Sequence, residues 1–207
     1  MGWWADRAVP RLTDKALDNE QVNELRVATC QGLHGRVLEI GFGSGLNLPH
    51  LPPEVTVVHA VEPHDAGWDL SRARREHSRV RVERTGLDGQ RLDDADASYD
   101  AVLSTFTLCT IPDAGAALRE VRRVLKPGAS LHFVEHGLAP DPGVVTWQRR
   151  LEPMQRRVFG GCHLTRDVPA LLEASGLRIT SLEQRYLPGP RVSRPWSYGY
   201  LGRATPA

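Results

Sequence analysis

The chain is short of cysteine, of aromatic residues and of net charge, and each shortage removes a class of protein. Its three cysteines, Cys30, Cys109 and Cys162, are odd in number and unevenly spaced. They make no disulfide framework and fit a reducing, cytoplasmic setting. No cysteine or histidine spacing points to a metal site. The formal net charge of +1 gives no electrostatic drive toward nucleic acid or an anionic membrane. No apolar run approaches the roughly 20 residues of a membrane helix. The opening stretch MGWWADRAVPRLTDKALDNEQ lacks the apolar core of a signal peptide. Internal repeats and low-complexity linkers are missing too.

What remains is a chain of 207 residues, 41% hydrophobic and 25% charged, enough for one domain with a sizeable core. Its elements alternate. Residues 19–33 predict a helix with Val22, Leu25, Val27 and Ala28 as its apolar stripe. Arg36–Ile40 is a short apolar strand leading into a glycine-rich turn. Strands are expected at 56–61, 80–84, 101–105 and 130–135, with helices at 65–76 and after Asp113. Ala117, Leu118, Val121, Val124 and Leu125 recur there at helical spacing. Lys126-Pro127-Gly128 ends that helix. Strands alternating with helices imply an α/β, Rossmann-like sheet, mostly parallel, with helices on both faces. A helix at 166–175 and strands at 177–184 and 197–204 follow. The link YLPGPRVSRPW is too short for a helical crossover, so the C-terminal edge should be antiparallel.

The segment VLEIGFGSGLN, 37–47, carries the main functional signal. Gly41, Gly43 and Gly45 follow the first strand, where bare backbone turns tightly and comes close to a ligand. A following helix would aim its N-terminus at that ligand. The next strand ends at Glu62-Pro63. A carboxylate there can accept hydrogen bonds from both ribose hydroxyls. Together these indicate an adenosine-bearing ligand and leave S-adenosylmethionine (SAM) and NAD both open. Leu46 stands where a dinucleotide fingerprint has its third glycine, and no Tyr-x-x-x-Lys pair is present, which counts against an NAD-dependent oxidoreductase.

VLEIGFGSGLN, AVEP, SYDAVLSTFTLCTIPD and LREVRRVLKPGASLHFVEH together resemble class I SAM-dependent methyltransferases of the UbiE or type 11 kind. The match spans roughly 33–137. STFTLCTI, EVRRVLKPG, FVEHG, Trp147-Gln148, LEP and GGCHLTRD extend it to about Asp167 and are similar to the methyltransferase-like thiol S-methyltransferases of animals. Those proteins carry an N-terminal membrane anchor that has no counterpart here, which leaves peripheral membrane contact as the remaining route to a membrane. The resemblance implies that Glu39, with the three glycines, serves the methionine end of SAM. It places Glu62 and Pro63 at the ribose, Gly86, Leu87 and Asp88 at adenine, and Ser104, Thr105 and Phe106 along the methionine pocket. A strand-end salt bridge at Glu39, a loop role for Asp88 and a core role for Phe106 are the alternatives.

The implied activity is methyl transfer to a small-molecule acceptor. A thiol is favoured, a quinone, phenol or aminophospholipid comes next, and non-catalytic SAM binding is an alternative of another class. His136, at the end of the fifth strand, and His163, in GGCHLTRD, are the candidates for a base or for acceptor positioning. Capping or packing is the alternative for His136, and capping by Thr165 for the His163 segment. Cys109 and Cys162 are candidates to touch the acceptor. Residues 1–33, with Trp3 and Trp4, are expected to form a helical lid. Residues 138–165, with Trp147, are expected to cover the acceptor, within one domain of 1–207. Arg72, Arg74, Arg75 and Arg79 should form a solvated helix face.

Overall fold

The structure, a computed structural model, describes residues 8–207. Its centre is a seven-stranded sheet. In chain order the elements are α1 (Val9–Leu17), α2 (Glu20–Cys30), β1 (Gly35–Ile40), β2 (Val55–Val61), α3 (Asp65–Leu70), α4 (Arg72–Glu76), β3 (Arg81–Gly86), β4 (Tyr99–Thr105), α5 (Ala114–Val124), β5 (Leu125–His136), α6 (Pro142–Val158), α7 (Val168–Ala174), β6 (Leu177–Tyr186), α8 (Arg194–Ser197) and β7 (Tyr198–Pro206). Strand order is β3-β2-β1-β4-β5-β7-β6. The first five strands run parallel. β7 lies antiparallel between β5 and β6, so the expected antiparallel edge is present, with the last strand inserted inside it. Trp3 and Trp4 lie outside the described residues.

The strands have a period of two, so successive side chains feed opposite faces. Leu38 and Ile40 of β1, with Val102 of β4, join α5 and α7 in one core. Val37, Ala101 and Leu103 join Cys30 of α2 in the other. The chain runs outward from β1 through β2 and β3, then returns to β4 on β1's other side. The carboxyl ends of β1 and β4 therefore flank a topological switch point, where open α/β sheets bind ligands.

Several local expectations are corrected. The buried stripe of α2 is Val22, Leu25, Arg26, Thr29 and Cys30, while Val27 and Ala28 face solvent. That set follows the i, i+3, i+4, i+7, i+8 spacing of a helix face, with a charged residue in the middle. No α-helix follows the glycine turn. Only a 3-10 turn, Leu48–His50, does, because Pro52 and Pro53 cannot continue it. The helix expected at 65–76 is broken at Ser71 into α3 and α4. Residues 138–165 contain the 17-residue helix α6, which the sequence reading left unassigned. α7 is capped by Asp167, whose side chain accepts from Ala170 N. Thr165 instead bonds Glu152 through both its amide and its hydroxyl. The arginine face is not simply solvated. Arg74 pairs with Asp14 and Asp18 of the α1 segment, and Arg75 lies 3.8 Å over the ring of Trp68.

Candidate active site

A cavity of about 550 Å³ opens at the switch point. Its floor is the carboxyl end of the sheet: Ile40 and Gly41 at the end of β1, Val61 and Glu62 at the end of β2, Thr105 and Phe106 at the end of β4. Val9, Thr13 and Leu17 of α1 border it, as do Phe159 and Gly160 after α6. α1 is held there by Asp14, which accepts from Ser44 Oγ at 2.6 Å and from Arg74 at 3.0 Å. A second hollow of about 640 Å³ adjoins at Pro63 and His64 and runs along α3.

The glycine turn and the acid after β2 meet directly. Glu62 is buried, at 5% exposure. One carboxylate oxygen accepts from Gly43 N at 2.7 Å and the other from His64 N at 2.8 Å. Gly41, Gly43 and Gly45 all have positive φ, but they serve different ends. A side chain at Gly41 would strike Thr107, and one at Gly45 would meet Phe42, Leu48 and Ser71 within 3.1–3.3 Å. At Gly43 the nearest atom is Gly41 O at 3.9 Å, so the space beside it belongs to the cavity. Gly43→Val should therefore fold, paying about 1–2 kcal/mol for the left-handed backbone. If the cavity holds SAM, the variant should lose affinity for it by about 100-fold or more, since an isopropyl group would fill the open space beside Gly43. Calorimetric titration beside a thermal melt separates the two effects.

Period-two alternation puts Glu39 and Thr105 on the α2 side of the sheet, where Arg26 reaches them. Arg26 Nη1 donates to Asn47 Oδ1 at 2.8 Å and to Thr105 Oγ1 at 3.1 Å. Asn47 Nδ2 donates to Glu39 Oε1 at 2.7 Å and to Thr105 Oγ1 at 3.0 Å. All four residues are buried. Two atoms of the network have no partner, the acceptor Glu39 Oε2 and the donor Arg26 Nε. Burial pushes the Glu39 carboxyl up to about 7, with Asn47 and Arg26 working against the rise. Burial also lowers the Arg26 guanidinium. Phe106 ends β4 with φ of 54°, a strained conformation for a residue with a side chain and one that gathers at functional sites. Its ring lies 5.8 Å from the Arg26 guanidinium carbon.

Behind Phe106, the buried carboxylate of Glu135 accepts from Ser104 Oγ at 2.7 Å and from Thr107 N and Leu108 N, each at 3.1 Å. It fixes the backbone of the wall that Thr107 contributes to the cavity.

Among the residues nominated from sequence, Gly41, Gly43, Glu62, Pro63, Leu87, Asp88, Thr105 and Phe106 line the cavity. Glu39, Gly45, Gly86 and Ser104 stand behind it. Gly86 O accepts from Glu62 N at 3.1 Å, which sets that carboxylate's backbone. His136 and His163 are not in the cavity wall. His136 Nε2 lies 3.1 Å from Cys162 Sγ, and His163 Nδ1 lies 3.3 Å from Glu152. Trp147 is 54% exposed beneath Arg150 and does not cover the cavity. Arg26 and Asn47 were not nominated from the sequence, whereas α1 lies within the N-terminal segment expected to form a lid. The signal was the arginine on a buried helical stripe.

These features define the class: a Rossmann-like sheet with a glycine turn and a ribose-type acid around one cavity is the framework of a class I methyltransferase. The family model described as "Methyltransferase domain" matches residues 38–133. The rat thiol S-methyltransferase TMT1B is 34% identical over 81% of this chain and 69% of its own length. The human thiol S-methyltransferase TMT1A is 32% identical over 79% and 69%. A crystal structure from Thermotoga maritima, titled a SAM-dependent methyltransferase and possible histamine N-methyltransferase, superposes with a TM-score of 0.70 at 19% identity, covering 100% of both chains. The chain belongs to the SAM-dependent methyltransferases, in the group that contains the thiol S-methyltransferases. Among the described residues, no helix is long and apolar enough to cross a membrane.

Proposed function

We propose that this enzyme transfers the methyl group of SAM to a small thiol. The observation that supports it most is the polar inventory around the cavity. It offers a carboxylate beside bare backbone at Glu62 and Gly43, and an unpartnered donor and acceptor at Arg26 and Glu39. That set suits a ligand with a ribose diol at one end and a zwitterionic amino acid at the other. Glu62 would hold the ribose, with Leu87 and Asp88 toward adenine. Arg26 would take the carboxylate, and Glu39 would favour the ammonium. When bound, SAM supplies a methyl group on a sulfonium centre, open to in-line attack. The chain's own task is then alignment and exclusion of water. α1 would act as the lid, with Phe159 and Gly160 as the acceptor-side cover, all within one domain.

A thiol suits this wall. Neither His136 nor His163 lines the cavity, and the histidine that does, His64, follows Glu62 on the ribose side. A free thiol, with a pKa of about 8.5, has a useful thiolate fraction near neutral pH without a protein base. Phenols and carbon acceptors depend on one. Phe106, Ile111 and Phe159 give the cavity an apolar side. The names of the rat and human relatives point the same way. Incubation with SAM and a panel of alkyl thiols, quinols and ethanolamine-type amines tests the acceptor. Thiols should show kcat/KM about tenfold or more above the others. Faster turnover of an amine or quinol would remove the thiol assignment.

Glu39 makes the enzyme pH-dependent. An acid whose folded pKa is raised binds a proton in the folded state that the unfolded chain lacks, between about 4.5 and about 7. Its contribution to stability therefore falls as pH rises through that window, by roughly 3 kcal/mol at most, and stays lower above it. His132, which burial lowers to about 4, gives the opposite slope, so the test is a difference: urea midpoints from pH 5 to 8 should show the wild type losing stability relative to Glu39→Gln as pH rises. An ammonium partner favours the ionised carboxylate. Wild-type SAM affinity should therefore rise with pH across the same window, and the glutamine variant should lose that rise.

A further inference from the structure

Three chain segments bring soft ligand atoms together beside the cavity. Cys109 follows β4, His136 ends β5, and Cys162 lies in the loop after α6. Their sulfur and nitrogen atoms all lie within 4.8 Å of one another. We propose that Cys109, His136 and Cys162 form a binding site for a thiophilic cation of the Zn²⁺ class.

The geometry is close to what such an ion requires. With Zn–S near 2.3 Å and Zn–N near 2.0 Å, tetrahedral donors sit about 3.5–3.8 Å apart. His136 Nε2 and Cys162 Sγ are already 3.1 Å apart, and small rotations would open a triangle of donors around an ion. Two thiols and an imidazole select Zn²⁺ or Co²⁺ over Mg²⁺ or Ca²⁺, which take oxygen ligands. Both cysteines are buried, so a cation there would be shielded from water.

Hydrogen bonding alone leaves the cluster poorly satisfied. Cys109 Sγ has a long contact, 3.6 Å, to Phe106 O. Gln155 Nε2 is 3.7 Å from Cys162 Sγ. His136 Nδ1 is buried without a partner. A divalent ion would displace both thiol protons to solvent, and the two thiolates would balance its charge. Three protein ligands leave a fourth position for water or a dissolved thiolate.

The site would act on the cavity wall. His163 N donates to Cys109 O at 2.9 Å, and Phe159 and Gly160, two to three residues before Cys162, line the cavity. An ion tying the three segments would hold that wall in place. The site stands on these side chains alone and does not depend on the acceptor being a thiol.

The full chain, reduced and stripped with a chelator, is titrated with Co²⁺. The expected result is stoichiometric binding with a thiolate-to-cobalt charge-transfer band and the visible bands of a tetrahedral ion, both abolished by Zn²⁺. Cys109→Ser and Cys162→Ser should each lose the charge-transfer intensity. Cys30→Ala, in the opposite core, should keep it, and circular dichroism verifies each fold. Independently of any variant, Zn²⁺ should slow alkylation of Cys109 and Cys162 in the wild type by about tenfold or more, leaving Cys30 unchanged. No stoichiometric binding, a band that survives both serine variants, or alkylation indifferent to Zn²⁺ would each overturn the proposal. So would a Cys109–Cys162 disulfide as the cluster's only response to metal and mild oxidant.

Discussion

Replacing Arg26 with methionine is expected to weaken SAM binding by about 100-fold while lowering the melting temperature by only a few degrees. The two halves of this expectation have separate causes. Truncating one member of a buried charge pair costs about 2–5 kcal/mol in binding, and 1.4 kcal/mol is a factor of ten. In the free protein the balance differs. Arg26 is 3% exposed, and the desolvation of its charge offsets much of what its bonds to Asn47 and Thr105 contribute. Methionine leaves the buried Asn47 Oδ1 without its donor, which costs about 1–3 kcal/mol, and relief from burying the guanidinium returns part of that. Glu39, already raised to about 7, would lose a nearby cation and take up a proton at neutral pH, so no charge would be stranded. Arg26→Lys should fall between the two, because a single ammonium cannot bond Asn47, Thr105 and a carboxylate with a fork's geometry. Calorimetry and thermal melts on the three proteins check this. Unchanged affinity in the methionine variant would take Arg26 out of the binding site. A matching loss of stability would make it a structural residue.

Glu135→Ala should be the most destabilising single change near the site. The carboxylate is fully buried and accepts from one hydroxyl and two backbone amides. Alanine leaves all three donors without a partner in a place water does not reach. Each stranded donor costs about 1–3 kcal/mol. Relief from burying the carboxylate, whose pKa burial raises, returns part of that, so a net loss of about 3–4 kcal/mol is expected. That is a large share of a typical stability of about 5–15 kcal/mol. It corresponds to roughly 10 °C in Tm for a chain of this size. Glu135→Gln keeps an acceptor and should lose about half as much. Because Thr107 lines the cavity, SAM affinity should fall along with stability in both.

Much of the fold could be read from local pattern. Branched residues at 36–40, 56–61 and 101–105 become parallel strands with their ends displaced by one or two residues. Asp113 caps α5 as expected, its side chain accepting from Ala116 N. Gly43 and Glu62, nineteen residues apart, meet because β1 and β2 pair side by side in parallel and both end at the same edge of the sheet. The failures have physical reasons too. α6 escaped because Pro153 lies inside it and its apolar residues do not form a clean stripe. The buried face of α2 departs from the run of apolar residues because Arg26 lies in it, and arginine is almost never fully buried unless paired. Its partners lie 13, 21 and 79 positions away.

What the sequence determined by itself was therefore the class: the strand, glycine turn and strand-end acid of a methyltransferase sheet, whose alternation follows from neighbouring residues. Tertiary structure decided which side chains line the cavity and which do not. It set Arg26 against Glu39 and Asn47, laid α1 along the cavity, drew His136 away from it to Cys162, and gathered Cys109 beside that pair. The side-chain period of a strand or helix repeats within a few residues and leaves a local trace. The packing of elements on a sheet joins residues a hundred positions apart, and no short stretch of sequence records which of them will touch.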